Sequence, residues 1–218
     1  MFRDLSFAPG EFYHLYNRGA DKREIFLEPY DYARFTKFLY LANSVSPVNL
    51  RETPSNAFSF VKNDTLVDIG AYCLMPNHFH LLVREKSDGN ITKFMRKLLT
   101  SHSKYFNKKH KRSGTLFEGR FKAKHVNGDD YLKYLLAYIH LNPVKLIDSK
   151  WKEDGIKDIE KAKKHLTNYK HSSYLDYLNS NREEEKILNK NGFPEYFETA
   201  KGFQSMINNW LDYKNLDF

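Results

Sequence analysis

Between Val67 and Arg84 the chain is rich in apolar, strand-forming residues, and Pro76-Asn77 interrupts it. Such a run suits strands, and because proline cannot donate to a ladder the Pro-Asn pair marks a turn or bulge. Two strands, or one bent strand, are expected there. Within Leu74-Met-Pro-Asn-His-Phe-His-Leu-Leu-Val83, a period of two places His78 and His80 on one face and Phe79, Leu81 and Val83 on the other. The apolar set anchors the strand in a core. The two imidazoles then lie side by side, an arrangement that suits a divalent metal and equally a structural histidine pair. Barrels and hydrolases also use such pairs, and no His-Glu-x-x-His motif supports a zinc protease.

The remaining pattern predicts alternating elements. Phe12–Asn17 reads as a short aromatic strand ending at Arg18-Gly19. Phe35, Phe38, Leu39 and Ala42 recur at helical spacing and predict a helix over Asp31–Ser44, followed by a Pro/Asn/Ser-rich loop over Asn43–Asn56. A basic amphipathic helix is expected over Asn90–Lys108, stopped by Ser113-Gly114. Phe117–Val126 can be extended, and Asp129/Asp130 then stand at the N-cap of a helix Tyr131–Asn142 that must end near Pro143. This order predicts an α+β sandwich, with helices packed on a largely antiparallel sheet. Past about Asp148 the composition turns to Lys, Glu, Asp and Asn, so a domain over 1–148 and a partly helical C-terminal extension over 149–218 are expected. Its last helix, Ala200–Leu211, should dock through Phe203, Met206, Ile207 and Trp210.

Charge is unevenly distributed. The net charge is +8, but residues 93–124 hold eleven Lys/Arg against the single acid Glu118, so the rest of the chain is slightly acidic. Concentrated cations displace phosphate counterions, which makes this segment either a polyanion footprint or a solvated basic face. Interleaved Phe94, Tyr105, Phe106, Phe117 and Phe121 could stack bases or fill a core. No apolar run reaches the roughly 20 residues of a membrane span, and Met1-Phe-Arg-Asp-Leu-Ser lacks the pattern of a secretory signal. The lone Cys73 can make neither an internal disulfide nor a multi-cysteine zinc cluster, as suits a reducing compartment.

In the helix Tyr131-Leu-Lys-Tyr-Leu-Leu-Ala-Tyr-Ile-His-Leu-Asn-Pro143, Tyr131, Tyr134, Leu135, Tyr138 and Asn142 share one stripe. Tyr138 and Asn142, one turn apart, could present a nucleophile beside an amide ligand for a hard cation. They could equally pack a core edge and end a helix.

Three strings taken together, Met75-Pro-Asn-His-Phe-His-Leu-Leu, then Asn107 to Phe121 (NKKHKRSGTLFEGRF), then Tyr138-Ile-His-Leu-Asn-Pro-Val144, resemble the single-tyrosine HUH transposases, specifically the REP-associated, IS200-like branch. Tyr16-Asn-Arg-Gly19 and Ser172-Ser-Tyr174 also resemble that family, so the likeness spans roughly residues 8–178. The resemblance implies a ferredoxin-like HUH domain that nicks single-stranded DNA and transfers the strand through a 5′-phosphotyrosine, on hairpin DNA. It implies Tyr138 as nucleophile, with Tyr131 and Tyr134 in reserve, and His78 and His80 as ligands of Mg²⁺ or Mn²⁺. Asn142 falls where the wider class often holds Gln, at the third ligand position. Arg18, Arg120 and Lys122 look like DNA contacts, to which the basic segment adds Lys108, Lys109, Arg112 and Lys124. A cytoplasmic, nucleoid-associated protein, monomeric or a homodimer, is expected. Two other readings stay open: a catalytically idle hairpin-binding protein, and a metal-dependent hydrolase of small molecules, which leaves the basic segment unexplained.

Overall fold

A computed structural model describes residues 5–49, 54–197 and 199–211. The start of the chain, part of the 43–56 loop and the end of the C-terminal extension therefore lie outside the described residues. Four strands, β1 (Phe12–Arg18), β2 (Val67–Met75), β3 (His78–Glu85) and β4 (Lys122–His125), form a sheet in the order β2-β3-β1-β4. Each neighbouring pair is antiparallel. With α1 (Pro29–Ala42), α2 (Asn90–Lys109) and α3 (Asp129–Leu141) between and after them, the chain follows the split βαββαβ path of a ferredoxin-like fold. Pro76-Asn77 makes the hairpin turn between β2 and β3, which are therefore two strands.

The sheet separates two cores. Tyr13, Leu15, Leu74, Phe79, Leu81 and Val83 face one side, where Phe35 and Leu39 of α1 and Phe94, Leu98 and Phe106 of α2 cover them. Ala71, Cys73, Met75 and Leu82 face the other, under Leu135, Leu136 and Ile139 of α3. Trp151, Leu166, Tyr174, Tyr177, Phe193, Phe203 and Ile207, all beyond residue 148, complete that second core. They come from α4 (Trp151–Asp154), α5 (Ile159–Asn168), α6 (Tyr174–Tyr177), α7 (Ala200–Leu211) and the connections between them. Within α7, Phe203, Ile207 and Leu211 are buried and Met206 and Trp210 are partly so. Residues 171–173 lie along the outer edge of β2, with Leu74 N–H donating to the His171 carbonyl at 2.9 Å and Ser173 N–H to that of Tyr72 at 3.0 Å. An otherwise open sheet edge is thereby covered over these residues.

Element boundaries differ from the sequence pattern for local reasons. Helix α1 starts earlier because Glu28 and Asp31 form a capping box and Pro29 occupies its first turn. The fully buried Asp31 also accepts from Tyr105 Oη at 2.7 Å, joining the start of α1 to α2. Strand β4 is shorter than Phe117–Val126 because Glu118 leaves the extended path to pair with Arg18, and Gly119 turns the chain at φ 145°. The N-cap of α3 is Gly128 rather than Asp129 or Asp130. Asp129 instead accepts from Tyr196 Oη at 2.6 Å and pairs with Lys133, while both acids sit in the first turn, where the helix dipole favours them. Pro143 ends α3 but not the coil, which tightens into a 3-10 turn over Asn142–Leu146. Among the described residues no helix is long and apolar enough to cross a membrane.

Candidate functional site

The strand register collects polar side chains on the sheet face that α3 crosses. Arg18 lies opposite His78 and Tyr16 opposite His80, while Lys122 and Lys124 lie opposite Tyr16 and His14. Alternation then puts all seven side chains on one surface. Where α3 ends above them a cavity of about 770 Å³ opens, lined by Tyr16, Arg18, Lys22, His78, His80, Lys122, Tyr138 and Lys145 among others.

Three rings converge there. The His78 and His80 centroids are 5.1 Å apart at 86°, and the Tyr138 ring stands 5.4 Å from His80 at 74°. The orientation of Tyr138 is held from below. Two residues on, the fully buried His140 donates from Nδ1 to the Leu136 carbonyl at 2.8 Å and accepts at Nε2 from Ser173 Oγ at 2.7 Å. Ser173 Oγ in turn accepts from Tyr72 N–H at 2.9 Å, so this chain of bonds ties the last turns of α3 to β2. Asn142 is buried, and its Nδ2 donates to the Tyr138 carbonyl at 2.9 Å. Its amide also acts on His78, opposing the effect of burial there, so it lies close to the histidine pair.

Burial holds the imidazoles neutral. It pulls His78 down to about 4, with Lys145 adding to the effect. Burial likewise pulls His80 well below the ordinary histidine value, with His14 and His78 contributing. Neutral imidazoles are the form that binds metal. The Asn77 Oδ1 lies 2.6 Å from Nδ1 of His78, so that nitrogen carries the proton and Nε2 is left with its lone pair. Among the described residues no group of three or more His, Cys, Asp or Glu is arranged to hold a metal. A third histidine, His14, is present, but its Nε2 is engaged with Nδ1 of His80 at 2.8 Å. Two imidazoles and a nearby amide fit a divalent cation whose remaining ligands are oxygens of an anionic substrate or water. The cavity favours such a substrate: Arg18, Lys22, Lys122 and Lys145 line it against one acid, Glu24. The Lys152 ammonium stands 3.8 Å from the centroid of the Tyr138 ring.

Of the residues singled out from the sequence, the fold brings Tyr138, His78, His80, Asn142, Arg18 and Lys122 together. Lys124 is adjacent, its ammonium 4.5 Å from the Tyr131 ring centroid. Arg120 lines a separate hollow with Phe7, Met95 and Phe121. Lys108, Lys109 and Arg112 belong to the end of α2 and the turn after it, in the layer on the opposite face of the sheet. Lys109 is paired with Glu28, and Arg112 donates to Asn107 at 3.3 Å. Tyr134 stacks on Tyr138 and meets Trp210 edge-on at 5.4 Å, and burial pushes its phenol up to about 12. The sequence reading passed over His14, Lys145 and Lys152. Period-two alternation in Phe12-Tyr-His-Leu-Tyr-Asn17 could have found His14. Nothing local marks Lys152, whose position depends on how the chain after residue 148 returns to the sheet.

Residues 43–142, just under half of the chain, match the family model described as "Transposase IS200 like". Among solved structures the chain is similar to a REP-associated tyrosine transposase bound to a REP hairpin, at 14% identity over 82% of this chain and 85% of that one, with a TM-score of 0.52. That likeness is one of fold. The tRNA(His) guanylyltransferase of Saccharomyces cerevisiae aligns over 91% of this chain and 87% of its own at 14% identity, but its TM-score of 0.35 is too low to bear on fold or function. No curated protein matches the chain.

Proposed function

We propose, from the match of residues 43–142 to the IS200-like transposases, that this chain nicks and rejoins single-stranded or hairpin DNA with Tyr138 as its nucleophile. The observation that carries the proposal is the convergence of Tyr138 on His80, 5.4 Å between centroids, in a cavity lined by four cations. Hairpin DNA as the substrate class is supported by the solved relative of the same fold, which holds a REP hairpin.

The chemistry follows from charge. A phosphodiester is already anionic, so attack by a second oxygen needs the phosphate neutralised and the nucleophile held in line. Lys22, Lys122 and Lys145 would neutralise it, joined by Arg18 from its exposed ion pair with Glu118. Tyr138 Oη then attacks phosphorus as its proton leaves to solvent, the bond from phosphorus to the 3′ oxygen breaks, and that oxygen takes up a proton. The products are a 5′-phosphotyrosine and a free 3′-hydroxyl. Because a phenoxide leaves more readily than an alkoxide, the 3′-hydroxyl of another strand can reverse the step, and no hydrolysis discards the bond. A Mg²⁺ or Mn²⁺ held by His78 and His80, with the Asn142 amide in reach, would supply Lewis-acid polarisation of the scissile phosphate.

A second reading, a hairpin-binding protein without strand transfer, uses the same basic cavity and is separated by experiment. Labelled single-stranded hairpins incubated with Mn²⁺ should give a covalent adduct with the wild-type chain and none with Tyr138→Phe. An adduct that persists in Tyr138→Phe overturns the nucleophile, and binding without any adduct in the wild type selects the binding protein.

A further inference from the structure

His14 takes no part in the reaction as derived, yet it is buried against the histidine pair. On β1 it stands one alternation from Tyr16, which faces His80 across the ladder, so His14 is the diagonal neighbour of His80 on the same surface. Its ring stacks with that of His80 at 5.0 Å and 27°, with Nε2 2.8 Å from Nδ1 of His80. The Tyr138 ring meets it edge-on at 6.1 Å.

Two neutral imidazoles share one proton across such a bond, and its position decides what His80 can do. If Nε2–H of His14 donates, Nδ1 of His80 is the acceptor and the proton of His80 sits on Nε2, where it blocks a cation. In the reverse arrangement Nδ1–H of His80 donates and Nε2 of His80 is bare. We infer that His14 is the positioning residue of this site: its Nε2 accepts the Nδ1–H of His80, holding His80 in the tautomer whose Nε2 lone pair is free for a divalent cation. The inference rests on the reading that His78 and His80 hold that cation. It also explains why a third histidine within reach adds no third ligand. His14 does for His80 what Asn77 Oδ1 does for His78, and outer partners of this kind set ligand orientation and basicity.

The test is made on the full chain. In the metal-free wild type, ¹⁵N shifts of the His80 ring, assigned by their loss in His80→Gln, should report a protonated Nδ1 and a bare Nε2. His14→Leu should lose that preference and weaken Mn²⁺ binding, measured by calorimetry, by about 10- to 100-fold. His14→Gln, whose carbonyl can accept the same proton, should recover most of the affinity. A His80 ring protonated on Nε2 in the wild type, or a folded His14→Leu chain that binds Mn²⁺ as tightly as the wild type, overturns the assignment. A wild-type chain that binds no Mn²⁺ at all instead removes the cation from the proposed function, while the ¹⁵N spectrum still decides between the two donor directions.

Discussion

Lys152 and Glu118 act at single positions, with opposite expected effects. The Lys152 ammonium over Tyr138 lies 3.8 Å from the ring centroid, within the range in which a cation and an aromatic face attract. It also adds positive potential at His14, His78 and His80, where a phosphate would arrive. Lys152→Gln shortens the stem, keeps a polar end and removes the charge. Adduct formation in single-turnover assays should slow by about tenfold, the equivalent of ~1.4 kcal/mol, with the unfolding midpoint nearly unchanged because the side chain is only half-buried. An unaltered rate would mean that Lys152 packs the ring and does nothing to the reaction. Glu118 is the single acid of the basic 93–124 segment, and it holds Arg18 in a forked ion pair beside the cavity. Both partners are well exposed, so the pair itself contributes little to stability. Glu118→Gln releases Arg18 for phosphate and should tighten hairpin binding several-fold at low salt, with a steeper dependence on salt. Weaker binding would show instead that Glu118 positions Arg18 for its contact.

At the scale of elements, β2 shows why the chain beyond residue 148 belongs to the second core. The strand carries a register shift between Ile69 and Ala71, and Gly70 between them leaves room for the Phe193 ring. A Cβ at position 70 would lie 2.5 Å from that ring, and the Tyr177 hydroxyl donates to the Gly70 carbonyl at 2.5 Å. Gly70→Ala must therefore displace a buried aromatic and should destabilise the chain by about 1–3 kcal/mol. Urea unfolding checks this, and Phe193→Leu in the same chain should recover part of the loss. Strands β1 to β3, helices α1 to α3 and α7, and the facing of His78 and His80 were legible in the sequence because periods of 2 and 3.6 are local, whereas α4, α5 and α6 were not. The residues alone made Tyr138 one of three tyrosines on a stripe, and only the resemblance singled it out; in the fold it meets the His80 ring while Tyr134 meets Trp210 of α7, contacts between residues far apart in the chain. The return of residues 171–173 along β2, and with it the anchoring of α3 through His140 and Ser173, could not be read from composition. A Lys/Glu/Asn-rich segment gives no local signal of the few aromatic residues through which it docks.

For the molecule as a whole, both cores bury histidine. In the first, His102 in α2 lies fully buried among Phe26, Phe35 and Phe106, with Nε2 2.8 Å from the Ile25 carbonyl. Burial lowers it to about 4, against the opposing pull of that carbonyl. In the second, burial lowers His140 to about 3, opposed by the Leu136 carbonyl. Unfolding returns both rings to about 6.5. Above that value neither state binds the proton and stability is independent of these groups. As pH falls below it the unfolded chain takes up protons that the folded chain refuses, so stability is lost progressively between about 6.5 and the folded values. Each ring contributes a slope of about 1.4 kcal/mol per pH unit across that window. Urea midpoints should therefore be level from pH 8 to 7 and fall steeply from 6.5 towards 5, before the bulk of the carboxylates titrates. His140→Gln should remove about one histidine's share of the slope, lowering stability at pH 7 because Ser173 and the Leu136 carbonyl lose a well-placed partner. A midpoint that stays constant from pH 7 to 5 would mean that water reaches these rings in the folded chain, and with it the ladder of bonds that orients Tyr138 would lose its dry foundation.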